Sequence, residues 1–343
     1  MSWSRDIRHF RGATRVFERS VEEIRADLAS GWVLTDENVA RAWASVLPDR
    51  KVLVLPAGEP TKSLEVFAQA QEWLAGHGAK RSTQVHLLGG GVIGDLGGFV
   101  AATYARGISY IQIPTSLLAM VDSSVGGKVG VDLPQGKNLV GAFAPPAEVW
   151  LTDEWLGTLP RRELVNGLAE VWKMAMIADL DLLQLLRKGP VGPGDPRLPT
   201  LIRHCIERKA EIVEQDEFER HGVRARLNFG HTIGHAIEKA LGYRDLLHGE
   251  AISIGMVLEA EIGERWGVTP PGTRDQLQKD LAAQGLPTVL PQGIDPSLML
   301  SAMHLDKKAV GSGLALSLLT GPGECKLFDN VAESVVREVM FDR

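Results

Sequence analysis

The sequence predicts an α/β domain with a mostly parallel sheet, followed by a mainly α-helical domain. Three observations carry that expectation. The chain has 343 residues, more than a single core ordinarily holds. Its N-terminal part alternates short β-type runs with helical stretches, as strands joined by crossover helices do. Beyond Pro160 the apolar spacing changes to long helical periods. The expected division is residues 1–155 and 156–343.

Trp32 to Thr35, Lys51 to Leu55, Gln84 to Leu88 and Tyr110 to Ile113 read as buried strands, being short apolar runs rich in β-branched residues. Between them Leu64, Phe67, Ala70 and Leu74 keep a helical period over Ser63 to Gly76, with Ser63 as the expected cap. A further helix is expected over Leu96 to Tyr104. In the second part helical periods run over Glu163 to Ile177, Leu201 to Asp216, His231 to Leu241 and Gly249 to Trp266. Gly189 to Pro196 is a loop by its Pro and Gly content, and helical text on both sides makes it an intradomain one.

A hydrophobic share of 44% and a charged share of 23%, with mean hydropathy of -0.02, describe a globular chain and exclude a disordered one. Lys and Arg number 37 against 43 Asp and Glu, a net charge of -6. That balance excludes a broad nucleic-acid footprint, which needs clustered cations. The two cysteines, Cys205 and Cys325, form no CxxC pair and fit inert thiols in a reducing compartment. The opening MSWSRDIRHFRG lacks the apolar core of a secretory signal. The most apolar window, Val85 to Ala105, is broken by Asp95 and by glycines, so no membrane span is expected. A cytoplasmic protein follows.

Two stretches carry chemistry. Gly89, Gly91 and Gly94 match GxGxxG between a strand and a helix, the pattern that lets backbone N–H groups approach a pyrophosphate. The acidic residue that should follow about 20 positions later is missing from Ile111 to Pro114, so this is no ordinary Rossmann fingerprint. Thr115, Ser116, Asp122, Ser123, Ser124, Gly126, Gly127 and Lys128 then gather hydroxyls, glycines and an ammonium suited to phosphate. Further on, His231 and His235 stand at i and i+4 on one helical face, followed by His248 and Glu250. Imidazoles and a carboxylate are the ligand types of catalytic zinc, which takes three and keeps one position open. The residues leave the choice open: His231 and His235 with Glu250 or His248, or two ordinary helix histidines. Glu170 is another candidate, or a plain ion-pair partner of Lys173 three residues on.

Several longer blocks stand in register: GGGVIGDLGGFVAATYARGI at 89–108, QIPTSLLAMVDSSVGGKVGV at 112–131, GKNLVGAF at 136–143, LAEVWK at 168–173, LNFGHTIGHAIE at 227–238, LHGEAI at 247–252 and DKK at 306–308. Together they resemble the 3-dehydroquinate synthase family over roughly residues 30–330. The resemblance implies a homodimeric lyase of the shikimate pathway with its active site in an interdomain cleft. It would use NAD and zinc or cobalt to convert 3-deoxy-D-arabino-heptulosonate 7-phosphate into 3-dehydroquinate and phosphate.

By the same resemblance the metal ligands are Glu170, His231 and His248, with His235 a proton shuttle beside the phosphate. The implied NAD residues are Asp36, Asn38, Glu59, Lys62, Gly90, Gly91, Val92, Asp95, Thr115, Ser116, Asp122, Thr158 and Leu159, together with Lys128, Lys137 and Asn138. Substrate residues would be Lys128, Lys137, Asn138, Lys173, Lys209, Arg224, Asn228 and Lys307, with Arg106 reaching a partner subunit. The implied reaction oxidises a carbinol, eliminates phosphate, returns the hydride and closes the ring by an aldol step, so that NAD is regenerated. Two departures stand out. Ile7 to Phe17 is a poor counterpart of the family's opening strand pair, which puts the sheet edge in question. Arg226 replaces a usually apolar residue. The rivals are a related cyclase, above all aminodehydroquinate synthase, and a metal-dependent polyol or glycerol-phosphate dehydrogenase.

Overall fold

The structure, a computed structural model, describes residues 3–306 and 313–341. It comprises two compact units, Met1–Pro160 and Arg161–Arg343.

The first unit opens with an antiparallel hairpin, β1 (Ser4–His9) and β2 (Gly12–Glu18), then α1 (Val21–Leu28), β3 (Trp32–Asp36) and α2 (Glu37–Ala42). It continues through β4 (Val52–Leu55), α3 (Leu64–Gly76), β5 (Gln84–Gly89), α4 (Gly91–Thr103) and β6 (Ser109–Pro114). A separate two-stranded ribbon, β7 (Lys128–Leu133) and β8 (Gly136–Phe143), precedes β9 (Glu148–Leu151). The main sheet has seven strands in the order β1-β2-β9-β6-β5-β3-β4. Every neighbouring pair is parallel except β1 and β2.

All four expected strands are present. Leu34, Leu55, Val85, Leu87 and Leu96 form a core with Ala70 and Leu74 of α3, and the Ser63 hydroxyl accepts from Val66 N as that helix's cap. The helix expected from Leu96 begins earlier, at Gly91, so the glycine turn is also the helix start. The N-terminal stretch is corrected outright: it forms the edge hairpin, and β2 pairs with β9 from Arg15 against Glu148 to Glu18 against Leu151. Its pattern was faint because Ile7, Thr14 and Val16 are buried among charged neighbours.

Sheet order fixes where a ligand can sit. From β3 the chain goes to β4 on one side, then crosses to β5 on the other. In an open parallel sheet such a reversal leaves a crevice outside the carboxyl ends of the two strands. Asp36 ends β3 and Gly89 ends β5.

The second unit holds α5 (Arg161–Ala178), α6 (Leu180–Leu186), α7 (Leu198–Gln215), α8 (His231–Ala240), α9 (His248–Arg265), α10 (Thr273–Gln284) and α11 (Pro296–Asp306). A hairpin, β10 (Leu314–Gly321) and β11 (Glu324–Val331), and a last helix, α12 (Glu333–Met340), complete it. The unit is mainly helical as expected; the hairpin was not. Its core joins Ile233 and Ile237 of α8, Ile254 and Leu258 of α9, Leu316 and Leu318 of β10, and Val336 of α12. The 189–196 loop lies within this unit. There Val191 N donates to Gln284 Oε1 at 2.9 Å while Gln284 Nε2 donates to Val191 O at 2.8 Å. Both cysteines are buried and neither forms a disulfide. Among the described residues no helix is long and apolar enough to cross a membrane.

Candidate active site

In the first unit the expected cofactor residues gather at strand ends and around one lysine. Asp36, the last residue of β3, caps α2, its Oδ1 accepting from Asn38 N at 2.9 Å and Val39 N at 3.0 Å. Across the reversal, α4 starts at Gly91 with Gly90 as its cap residue, which supplies no capping side chain. The first N–H groups of α4, among them that of Val92, thus keep the anion-binding character of a helix start. A Cβ on Gly90 would come within 3.4 Å of Ser116 Oγ, and one on Gly91 within 3.2 Å of Ser123 Oγ. Thr115 N bonds Gly89 O at 3.0 Å, which ties the segment after β6 to this turn. Asp122 lies in the next turn, Ala119–Ser123.

Lys62 is the hub. Buried at 4% exposure, it donates to Asp95 Oδ2 at 2.8 Å and to Asn138 Oδ1 at 2.5 Å. Glu59 Oε1 is 3.7 Å away. Burial opposes its charged form, but Asp95 and Glu59 outweigh burial and raise its pKa. Burial likewise pushes the Asp95 carboxyl up, with Lys62 acting against that rise. Lys137 Nζ approaches Glu59 at 3.9 Å. Asn138 has a left-handed backbone, φ 54°, a strained choice of the kind concentrated at functional positions. Its N–H is held by Asp132 Oδ1 at 2.7 Å, a partner that sequence reasoning missed. The hub therefore draws Glu59, Lys62, Asp95, Lys137 and Asn138 together. Lys128 starts β7. Thr158 joins another network, accepting from Trp43 Nε1 at 2.8 Å and donating to Trp155 O at 3.2 Å, with Leu159 next in the chain. Arg106 is exposed on a turn where it and Ala105 have φ of 65° and 47°.

In the second unit three helices converge. Glu170 comes from the middle of α5, His231 opens α8 and His248 opens α9. Glu170 Oε1 lies 3.5 Å from His231 Nε2 and 3.4 Å from His248 Nε2. A tetrahedral zinc with bonds of about 2.0–2.1 Å sets its ligand atoms roughly 3.3–3.4 Å apart, the spacing these pairs already have. The donor set fits a divalent cation in chemistry as well as spacing. Burial works against ionised Glu170, yet Lys173, with Nζ 2.5 Å from Oε2, and the two histidines hold its pKa well below the usual range. Burial and then Lys173 lower His231 to about 3, leaving its imidazole neutral as a ligand must be. Burial acts to lower His248 too, but Glu170 and Glu238 raise it to about 10.

Local packing explains the convergence. Gly249 N donates to Asn166 Oδ1 at 2.6 Å, clamping the start of α9 to α5 one turn before Glu170. A Cβ on Gly249 would stand 2.0 Å from Asn166 O. Gly230, at φ 79°, begins α8 without a capping side chain. Glu259, wholly buried on α9, takes that role and accepts from Gly230 N at 2.7 Å. A Cβ on Gly255 would lie 2.0 Å from Gly230 O, so α8 and α9 meet backbone to backbone. Glu250, the rival carboxylate, is engaged elsewhere: Arg162 Nε and Nη2 reach its two oxygens at 2.7 Å each, and Leu247 N donates to it at 2.8 Å.

Of the remaining expected residues, His235 has its ring centroid 5.3 Å from that of His231 and 6.0 Å from that of His248. Lys173, Lys209 and Arg224 are buried. Arg224 Nη1 donates to Glu217 O at 2.9 Å, and Asn228 ends the turn that leads into α8. Arg226, half-buried on that turn, lies near enough to Cys325 to favour its thiolate, although burial dominates and pushes the thiol up. Lys307 lies outside the described residues. Sequence reasoning missed Asn166, Glu238 and Glu259. Glu259 had a readable signal, a charge inside the apolar run Met256 to Ala260.

A parallel sheet with an anion-ready helix start and a helical unit with a buried Glu/His/His set define a metal-dependent enzyme that works with a dinucleotide. The 3-dehydroquinate synthase N-terminal model matches residues 52–166, and the C-terminal model matches residues 167–309. A 3-dehydroquinate synthase of Xylella fastidiosa (strain M23) is 46% identical over 326 residues, covering 90% of this chain and 88% of its own. The chain belongs to the 3-dehydroquinate synthase family. Among solved structures, 2-deoxy-scyllo-inosose synthase complexed with carbaglucose-6-phosphate, NAD+ and Co2+ superposes with a TM-score of 0.86 at 26% identity, over 99% of this chain and 100% of that one. The 2-epi-5-epi-valiolone synthase of Streptomyces hygroscopicus subsp. jinggangensis 5008, with NAD+ and Zn2+ bound, gives 0.85 at 25% identity over 95% of both chains.

Proposed function

We propose that the residues gathered in the two units carry out the family's reaction, the conversion of 3-deoxy-D-arabino-heptulosonate 7-phosphate to 3-dehydroquinate and phosphate. The observation that carries the reading is the Glu170, His231 and His248 set, whose ligand atoms lie within 4.8 Å of one another, in a chain whose family is established.

NAD, when bound, supplies a reversible hydride acceptor. Asp36 and Asn38 at the junction of β3 and α2, and Gly90, Gly91, Val92 and Asp95 in the first turns of α4, face the dinucleotide. Thr115, Ser116, Asp122, Thr158 and Leu159 complete the set. Lys62 holds Asp95 and Asn138 in place for it. Glu170, His231 and His248 hold zinc or cobalt, which when bound polarises the substrate oxygens as a Lewis acid. Lys173 keeps Glu170 ionised.

Lys128, Lys137, Asn138, Lys173, Lys209, Arg224, Asn228 and Lys307 bind the carboxylate, hydroxyls and phosphate through charge-assisted hydrogen bonds. Lys209 and Arg224, both buried, are the cations that meet the acid group, which a neutral sugar would lack. His235 moves the proton that leaves as phosphate is eliminated. Holding the released intermediate supplies the orientation that the aldol closure needs. Arg106, exposed on its strained turn, reaches the site of a second copy in a cytoplasmic homodimer.

The test is to incubate metal-loaded protein with the heptulosonate phosphate and a trace of NAD. Phosphate release far exceeding the added NAD, with no net NADH, is expected. NADH accumulating without phosphate would instead identify a dehydrogenase.

A further inference from the structure

Glu238 is the acidic residue of the α8 motif, and the reaction leaves it unused. It is 3% exposed and shares a helix face with His231 and His235, at i, i+4 and i+7. Its Oε2 lies 3.5 Å from His248 Nδ1, while His248 Nε2 lies 3.4 Å from Glu170 Oε1. The ring of His248 thus spans two buried carboxylates, one at each nitrogen.

We propose that Glu238 is a positioning residue for the metal centre, holding His248 in the tautomer and ring plane that turn Nε2 toward Glu170 and His231. This rests on the assignment of the metal to Glu170, His231 and His248. An imidazole that ligates through Nε2 carries its proton on Nδ1, and an acceptor there fixes the ring and strengthens the ligand. Glu238 is the carboxylate placed for that work, and burial keeps water from competing for the same proton.

A second arrangement of the same atoms has to be weighed. His235, Glu238 and His248 also offer ligand atoms within 4.8 Å of one another, which is spacing enough for a cation of their own. With Nε2 committed to the first set, however, a cation at Nδ1 would require His248 to lose both ring protons. A proton shared between Nδ1 and Glu238 satisfies the same atoms without that cost, and the outer-sphere role is the one the geometry favours.

The experiment uses the full chain, stripped with a chelator and reloaded. Zinc affinity is measured by competition with a chromogenic chelator, the number of zinc ions per chain by elemental analysis, and ligand geometry by the visible absorption of the cobalt form. Glu238→Ala is expected to bind zinc about 10- to 100-fold more weakly and to shift the cobalt bands, with one ion per chain throughout. Glu238→Gln, whose carbonyl still accepts from Nδ1–H, is expected to recover most of the affinity and the wild-type bands. Glu238→Met, close in volume and without an acceptor, replaces the alanine variant if that one does not fold. Wild-type affinity and bands in the alanine or methionine variant overturn the proposal. So do two zinc ions in the wild type with one lost in Glu238→Ala, which would mark a second cation site. Glu170→Gln separates the layers: if it keeps full zinc affinity, the ligand assignment itself has failed.

Discussion

In the first unit the residues proposed for the cofactor come from the ends of β3, β5 and β6 and from a ribbon outside the main sheet. In the second unit the proposed metal donors come from three helices, packed closely through glycines. A Cβ on Gly91 would meet only the side chain of Ser123, Oγ at 3.2 Å and Cβ at 3.7 Å, whereas one on Gly255 would meet the Gly230 carbonyl at 2.0 Å. Strand ends leave a site room to adapt to a flexible dinucleotide. Helix crossings leave a metal centre none, because its donors are placed by the same contacts that hold the fold.

That contrast can be broken first at the glycines. Gly255→Ala should separate α8 from α9 and cost more than about 3 kcal/mol by overpacking, read as a fall in the denaturant midpoint together with loss of zinc. Gly91→Ala should change stability by less than about 1 kcal/mol yet weaken NAD roughly tenfold in a fluorescence titration, since the methyl group takes up space where backbone approaches the pyrophosphate. Equal stability losses in both variants would contradict the contrast.

Lys62→Met comes next. It removes the cation that holds Asp95 and Asn138, and charge-assisted bonds are each worth about 1.5–3 kcal/mol. NAD affinity should fall roughly 10- to 100-fold by calorimetry while zinc content stays at the wild-type level. Loss of zinc in this variant would mean that the two sets of residues are not independent.

A smaller effect is expected at Asp179, which touches neither set. Its Oδ1 accepts from Leu182 N at 2.9 Å as the cap of α6, and its Oδ2 faces His204 Nδ1 at 2.9 Å and Arg208 Nε at 3.0 Å. Asp179→Ala should cost about 1–2 kcal/mol at neutral pH. Burial acts to raise the carboxyl, but these hydrogen bonds leave its pKa below the ordinary 3.8. A depressed carboxylate stabilises the fold above its unfolded pKa, and that contribution is lost as pH falls through the folded value. The gap between wild type and variant should therefore be constant above about pH 5 and shrink on acidification below the ordinary carboxylate value. A gap that widens in acid would contradict this origin.

Legibility followed the same divide. Helical period and HxxxH spacing placed His231 and His235 on one face without any structure, and the apolar runs of β3 to β6 announced the sheet. The choice of carboxylate was not readable from spacing. Glu170 and Glu250 each stand near cationic or imidazole side chains in sequence, and only the three-dimensional path shows Arg162 occupying Glu250. Asp132 was hidden because β7 and β8 form an isolated, partly exposed ribbon, so their alternation is weak and their glycines resemble a binding loop. Asn166 and Glu259 act on the backbone of other helices, a pairing that spacing within one helix does not record. The opening hairpin read only as a poor strand pair for a related reason: an edge strand buries few side chains and so leaves a thin pattern.

The most direct test of the metal centre compares two carboxylates that look alike in sequence and differ in what surrounds them. Zinc content per chain should be measured by elemental analysis in purified Glu170→Gln and Glu250→Gln proteins loaded side by side. Glu170→Gln should lose nearly all of its zinc, because the buried anion between His231 and His248 is gone, and Glu250→Gln should retain it. Equal retention in both, or loss confined to Glu250→Gln, would contradict a centre built on Glu170, His231 and His248.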